Sequence, residues 1–303
     1  MGTSVRVELW SEDRAAGAMA IDAVMAEMHH IDDTMSPFKP ESELTLINRE
    51  AAQRPVPISQ PMYDIIARSI DFSRLSGGAF DITFASAGFL YDYRRKIKPS
   101  DQELERARAA IGYHNLVLDP SARTIRFARP GVQIDLGGFA KGLAVDNGAA
   151  ILESRGITSA IVTAGGDSHI LGDRRGRPWT VGIRDPRRPG EVVAVLPLQS
   201  VALSTSGDYE RCFESDGIRC HHVIDPSTGK SPSGVRSVTV VAADGLTSEG
   251  LTKSVFVMGV EKGMQLVESL QEVDAVVIDA AGVLHYSSGL LNGGLQSRPG
   301  NQA

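Results

Sequence analysis

Three times along this chain an apolar run stops at a pair of glycines, at Gly77-Gly78, Gly137-Gly138 and Gly165-Gly166. A glycine pair admits φ > 0 and lets a ligand or another backbone come close, so each marks a place where the chain must turn sharply. The first pair follows a helical run, Met62 to Leu75, that begins near Pro61, and SGGAFDIT then leads into a short strand carrying Phe80, Asp81 and Thr83. A plain helix C-cap explains that first pair equally well. In the second, a strand ending in Asp135 runs through Gly137-Gly138 into a helix carrying Lys141, Leu143, Val145 and Ile151. The third closes a buried strand, Ile161 to Ala164, ahead of Asp167 and a second strand. Together the pairs predict one cleft lined by backbone. At the second pair, the unpaired N–H groups and dipole of a helix start favour an anion. No Walker A or GxGxxG pattern accompanies it.

The stretch Ser204 to Gly229 gathers Ser206, Gly207, Asp208, His221, His222, Asp225 and Thr228. VALSTS before it and HHVID after it read as two strands of a hairpin turning at Asp216-Gly217. Asp225-Pro226-Ser227-Thr228-Gly229 follows as a turn, with Pro fixing φ and Gly allowing φ > 0. A His-His pair at a strand edge serves structure as readily as catalysis. Zinc is disfavoured, because Cys212 and Cys220 lie across one turn and the two-plus-two ligand spacing is missing.

Around these segments the chain alternates strands and helices. Val5, Val7 and Leu9 alternate as a strand, and Ala18, Ile21, Met25 and Met28 follow at helical spacing. Ser42 caps a helix carrying Leu44 and Ile47. LVLD and TIRFAR form a hairpin around Asp119-Pro120, and Trp179, Val181 and Ile183 alternate in another strand. A strand from Val235 to Ala242, a helix from Thr247, a second helix from Glu261 to Leu270 and a last hairpin, DAVVID with GVLHYS, complete the run.

With 303 residues, 42% of them apolar, the chain has enough material for a substantial core. A net charge of −6 without a basic run argues against nucleic acid as the main partner. No run of roughly 20 apolar residues predicts a membrane span. MGTSVRVELW begins with a strand, not an apolar leader, which predicts a cytoplasmic protein, or a periplasmic one if a leader has been removed. Two cysteines permit a reducing compartment.

The ordered set of motifs resembles the ApbE family, the FAD:protein FMN transferases. The resemblance rests on MGT, SPFKPESELTLIN, SGGAFDIT, DLGGFAKG, AGGD, WTVGIRDP, TSGDYER, HHVIDPSTG and ADGLTSEGLTKSVFVMG, in that order. It implies an α+β fold of mixed, mainly antiparallel sheets with packed helices. It further implies one domain over residues 1–288, as a single body or two lobes, and the polar, Gly-rich run at 289–303 predicts a disordered tail. The implied reaction moves FMN from FAD to a Thr or Ser hydroxyl of an acceptor protein carrying a flavinylation motif, and AMP leaves. By that resemblance Gly137, Gly138 and Lys141 meet the pyrophosphate, and His222 or His221 is the base. Phe80, Asp81, Thr83, Asp135, Gly165, Gly166, Asp167, Ser206, Gly207, Asp208, His221 and Asp225 line the FAD site.

The family pattern also implies Mg²⁺, held by the Ala140 carbonyl and by an Asp and a Thr four residues apart on a late helix. Here those two are Glu249 and Lys253. Glu keeps an oxygen ligand, whereas an ammonium has no acceptor and repels a divalent cation. Lys253 therefore either stands in for the metal's charge, as a catalytic residue, or pairs with Glu249 along a helix face. Tyr91 and Tyr93 replace the family's usual LW-type segment. The rivals to FMN transfer are an FAD pyrophosphatase releasing FMN and AMP, a non-catalytic FAD-binding carrier or maturation protein, and a generic phosphate-binding protein.

Overall fold

In the computed structural model, which describes residues 2–291, the centre is a seven-stranded sheet. Its order is Val5–Leu9, Ala160–Ala164, Asp167–Leu171, Ala202–Gly207, Val235–Ala242, Asp274–Asp279 and Leu284–Tyr286, with every neighbouring pair antiparallel. The run DAVVID is apolar on both faces because both faces are covered. Ala275 and Val277 join the main core, while Val276 and Ile278 join a second core with Trp179, Ile183, Leu196 and Leu198. Those last four come from the separate hairpin of Trp179–Arg184 with Val192–Leu198. The helices Ala140–Ser154 and Gly245–Glu268 pack on the other face, and Arg14–Met35 packs on the first of them. The fold is α+β with antiparallel sheets, as expected.

Three local expectations need correction. Ala202–Gly207 pairs with Asp167–Leu171 and Val235–Ala242, not with HHVID. The Asp216-Gly217 turn instead joins Cys212–Ser215 to Ile218–His221. Both turn residues have φ > 0, at 54° and 74°, as a two-residue hairpin loop requires. Next, SGGAFDIT contains no strand. The Asp81 carboxylate accepts from Thr83 N and starts a 3₁₀ turn, Ile82–Phe84. Gly77 and Gly78 form a helix C-cap, with Gly78 N donating to Ser73 O. Finally, the segment ending in Asp135 is extended but belongs to no sheet. The Asn48 side-chain amide supplies the missing ladder, accepting from Ile134 N and donating to Ile134 O, each at 2.8 Å.

The late helix runs from Gly245 to Glu268 and is broken at Gly259, with φ 80° and ψ 177°, where a gap between two helices was expected. A helix over Asp101–Arg108 is additional to the expected elements, and its Ser100–Glu103 capping box is legible as S-x-x-E. Of the tail expected from Gly289, residues 289–291 lie in a short helix, and the remainder is outside the described residues. Among the described residues no helix is long and apolar enough to cross a membrane.

Candidate active site

Two of the three glycine pairs meet at one place, where the helices Ala140–Ser154 and Gly245–Glu268 cross beside the sheet. The crossing is close: a Cβ at Gly142 would lie 2.3 Å from Gly245 O. At this crossing Lys141 Nζ pairs with Asp167 at 2.8 Å and also with Glu249. Lys253 Nζ reaches Glu249 Oε1 at 3.2 Å, and its stem lies against Gly138. Glu249 Oε2 accepts from Gly142 N at 2.7 Å, so a side chain from one helix caps the first turn of the other. Two ammoniums and two carboxylates thus share one buried cluster.

The electrostatics follow from this arrangement. Burial would raise the Glu249 carboxyl, but the Lys141 and Lys253 ammoniums reverse that and hold it below its ordinary range. Burial and the neighbouring Glu249 carboxylate push Asp167 up. Burial pulls Lys141 down, and its two carboxylate partners more than restore it. Lys253 is lowered, by burial and then by the Lys141 charge, against the pull of Glu249.

Beside the cluster, His222 follows the small hairpin, and its backbone N donates to Arg211 O. Its Nδ1 is buried without a hydrogen-bond partner. Burial, then the charge of Lys253, depresses its pKa to about 3, so the imidazole is neutral at physiological pH. His221 differs. Its Nε2 donates to Pro232 O at 2.8 Å, and its ring meets Phe256 edge-on. The backbone of His221 is gripped by Ser231, and its carbonyl accepts from the Tyr93 hydroxyl. Tyr91 and Tyr93 stack on one another at 5.9 Å, Tyr93 holding the hairpin end through His221 O and Tyr91 holding the following turn through Gly229 O.

Several side chains expected to face FAD are engaged inside the protein. Asp81 accepts from Thr83 N, Thr83 Oγ1 and Tyr113 N, and Thr83 Oγ1 accepts from Gly112 N. Phe80 is a core ring, 5.3 Å from Phe139 and 6.1 Å from Phe72. This segment acts as a brace, because Ile82 O also receives Asp135 N. Ser206 bonds Thr252, and Asp208 is held by both terminal nitrogens of Arg187 at 2.7 and 2.5 Å. Asp225 Oδ1 accepts from the amide and hydroxyl of Ser227 and shapes its own turn.

The glycines also have structural reasons. Gly165 has φ 63° beside Thr3, a Cβ at Gly166 would lie 2.5 Å from Thr205 O, and one at Gly207 would strike the Tyr209 ring. The expected donor set is partly used as well. Gly137 N donates to Asp135, while Phe139 N and Ala140 N donate to Leu136 O. Ala140 is the first residue of its helix, so its carbonyl faces along the helix as an acceptor for the next turn. Gly138 is a loop residue lying against the Lys253 stem.

Among the described residues no group of three or more His, Cys, Asp or Glu side chains is arranged to hold a metal. Exposed Gly137, Gly165 and Gly166 surround a buried charge cluster with a neutral imidazole beside it. That combination can hold a polyanion and accept a proton from a hydroxyl.

The ApbE family profile matches residues 1–277. The chain belongs to the ApbE family. An FAD:protein FMN transferase of Treponema pallidum is 30% identical, over 96% of this chain and 86% of its own. One from Vibrio cholerae serotype O1 is 32% identical, over 89% and 83%. Among solved structures, the ApbE protein of Thermotoga maritima superposes with a TM-score of 0.90 at 33% identity, covering 97% of each chain. The flavin transferase ApbE of Vibrio cholerae gives 0.86 at 29% identity, covering 96% of each.

The depressed His222 pKa has a measurable consequence for this ApbE protein. The unfolded chain takes up a proton on this imidazole as pH falls through about 6.5, while the folded chain does not until about pH 3. Stability is therefore lost on the acid side of 6.5. Between pH 7 and pH 5 the contribution of His222 is about 2 kcal/mol. Urea denaturation of His222→Gln at the two pH values shows a loss smaller than wild type by that amount.

Proposed function

We propose that this chain is an FAD:protein FMN transferase, moving FMN from FAD to a Thr or Ser hydroxyl of an acceptor protein and releasing AMP. The observation that carries the reading is the buried, unpartnered Nδ1 of a neutral His222 beside the lysine cluster at the Gly138 loop. Family membership supports it, since the relatives described above bear that activity in their names. In this reading the acceptor oxygen attacks the FMN-side phosphorus. The new O–P bond forms as the P–O bond to AMP breaks, AMP keeps the electron pair, and the hydroxyl proton passes to His222. His222 takes the role of base because it lies beside the lysine cluster, whereas the His221 ring is anchored through Nε2 on Pro232 O and packs on Phe256.

Lys253 and the backbone of Gly137, Gly138, Gly165 and Gly166 line the diphosphate side. Lys141 and Asp167 fix the cluster from beneath, and Asp135 fixes the turn. Of the metal ligands the family pattern implies, Glu249 is occupied on both oxygens and Lys253 offers no acceptor, so the residues present do not fit Mg²⁺.

Incubation with FAD, with and without an acceptor carrying a flavinylation motif, tests the reading by mass spectrometry of the acceptor and by AMP release. An acceptor heavier by one FMN, with equimolar AMP, is the expected result. Free FMN and AMP without a modified acceptor would make the chain a pyrophosphatase. Tight FAD binding with neither product would make it a carrier.

A further inference from the structure

The lysine nearest the Gly138 loop has spare hydrogen-bonding capacity. An ammonium carries three donors. Lys141 spends its contacts on Asp167 and Glu249, whereas Lys253 gives one to Glu249 Oε1 at 3.2 Å. Its carbon stem runs over Gly138, where an added Cβ would lie 3.5 Å from Cε. Glu249 is wholly enclosed, while the Lys253 side chain keeps 16% of its surface open. Lys253 is therefore the more open member of that ion pair, while Lys141, at 23%, has both carboxylates in contact with its ammonium.

The charges decide what else the cluster can hold. Asp167 and Glu249 are balanced by Lys141 and Lys253. Take away Lys253 and one negative charge is left uncovered, with a Glu249 oxygen relieved of a donor. A divalent cation would find attraction there that the wild-type cluster denies it.

We infer that Lys253 is the resident cation of the diphosphate site, and that the transfer proceeds without a divalent metal. The inference rests on the FMN-transfer reading. Two free N–H donors of Lys253 face the diphosphate oxygens and offset the negative charge that gathers on AMP as its P–O bond breaks. The proton still goes to His222, and nothing is oxidised or reduced. Unlike a metal, this cation cannot be removed by a chelator.

The test uses the full chain, FAD, an acceptor carrying a flavinylation motif, and MgCl₂ as the only divalent salt. With wild type, AMP release is the same in EDTA as in MgCl₂, and calorimetry with MgCl₂ shows no binding heat, with or without FAD. Lys253→Met weakens FAD binding about tenfold to a hundredfold, read by flavin fluorescence. Lys253→Arg restores most of that affinity. Lys253→Thr combined with Glu249→Asp gains a Mg²⁺ binding heat and becomes dependent on MgCl₂.

A wild-type enzyme silenced by EDTA and revived by MgCl₂, with a matching binding heat, would overturn the inference. So would unchanged FAD affinity in Lys253→Met. Wild type needs no variant to fold, so its calorimetry decides the metal question alone. If neither AMP nor modified acceptor forms under any condition, the transfer reading fails, and the FAD and MgCl₂ titrations still decide the place of Lys253.

Discussion

Replacing His222 by Gln lowers FMN transfer by about a hundredfold to ten-thousandfold and leaves FAD bound. Glutamine keeps the size and polarity of the side chain but cannot accept a proton from the acceptor hydroxyl. His222 is assigned that role because its unpartnered Nδ1 belongs to a ring beside Lys253 and Lys141, whereas the His221 ring, its Nδ1 also unpartnered, is anchored on Pro232 and Phe256. The parallel change His221→Gln has a different signature. It removes a ring packed on Phe256 and a bond to Pro232 O, so it lowers stability and leaves the rate per folded molecule within a few-fold. Single-turnover rates at saturating FAD, with melting curves of both variants, separate the two. Equal rate losses in both would remove the assignment of His222 as base.

The sequence carried the periodic elements well because their signals are local. The β-branched run in Val235–Ala242 and the glycine at the helix break, Gly259, are each local features of the chain. The segments misread are those whose backbone partners come from far away. Asp135 looks like a strand end because its neighbours are apolar, yet its ladder is one Asn48 amide some 86 positions distant. The same holds for Asp81, Ser206 and Asp208. Carboxylates and hydroxyls next to glycines resemble ligand contacts, and only the fold shows Tyr113, Thr252 and Arg187 arriving to use them. Arg187 follows directly on Asp185-Pro186, but nothing local announces its partner Asp208. By contrast, the Glu249–Lys253 pair was legible as an i,i+4 spacing. What spacing could not convey is that Lys141 and Asp167 join it, turning a solvated helix pair into a buried cluster.

Glu249→Ala is expected to destabilise the protein by about 3–5 kcal/mol, the usual cost of breaking a buried ion pair from one side. The loss has several parts that act together. Lys141 and Lys253 are left as two buried like charges with Asp167 as the shared counter-ion, and Gly142 N loses its acceptor. The helices Ala140–Ser154 and Gly245–Glu268 also lose the side chain that ties one to the other at their closest approach. Glu249→Gln retains an acceptor for Gly142 N but not the charge, so its loss lies between Ala and wild type. Adding Lys253→Met to Glu249→Ala removes one of the stranded ammoniums and recovers part of the loss, giving a non-additive cycle. Urea denaturation of the four proteins at pH 7 measures this directly. Simple additivity, with Glu249→Ala costing less than about 1 kcal/mol, would mean that the pair behaves as a solvated one and that the cluster does not hold the crossing together. The expected coupling has a consequence for function: the carboxylate that locks the two helices also positions Lys253, so the charge facing the diphosphate is fixed before FAD arrives.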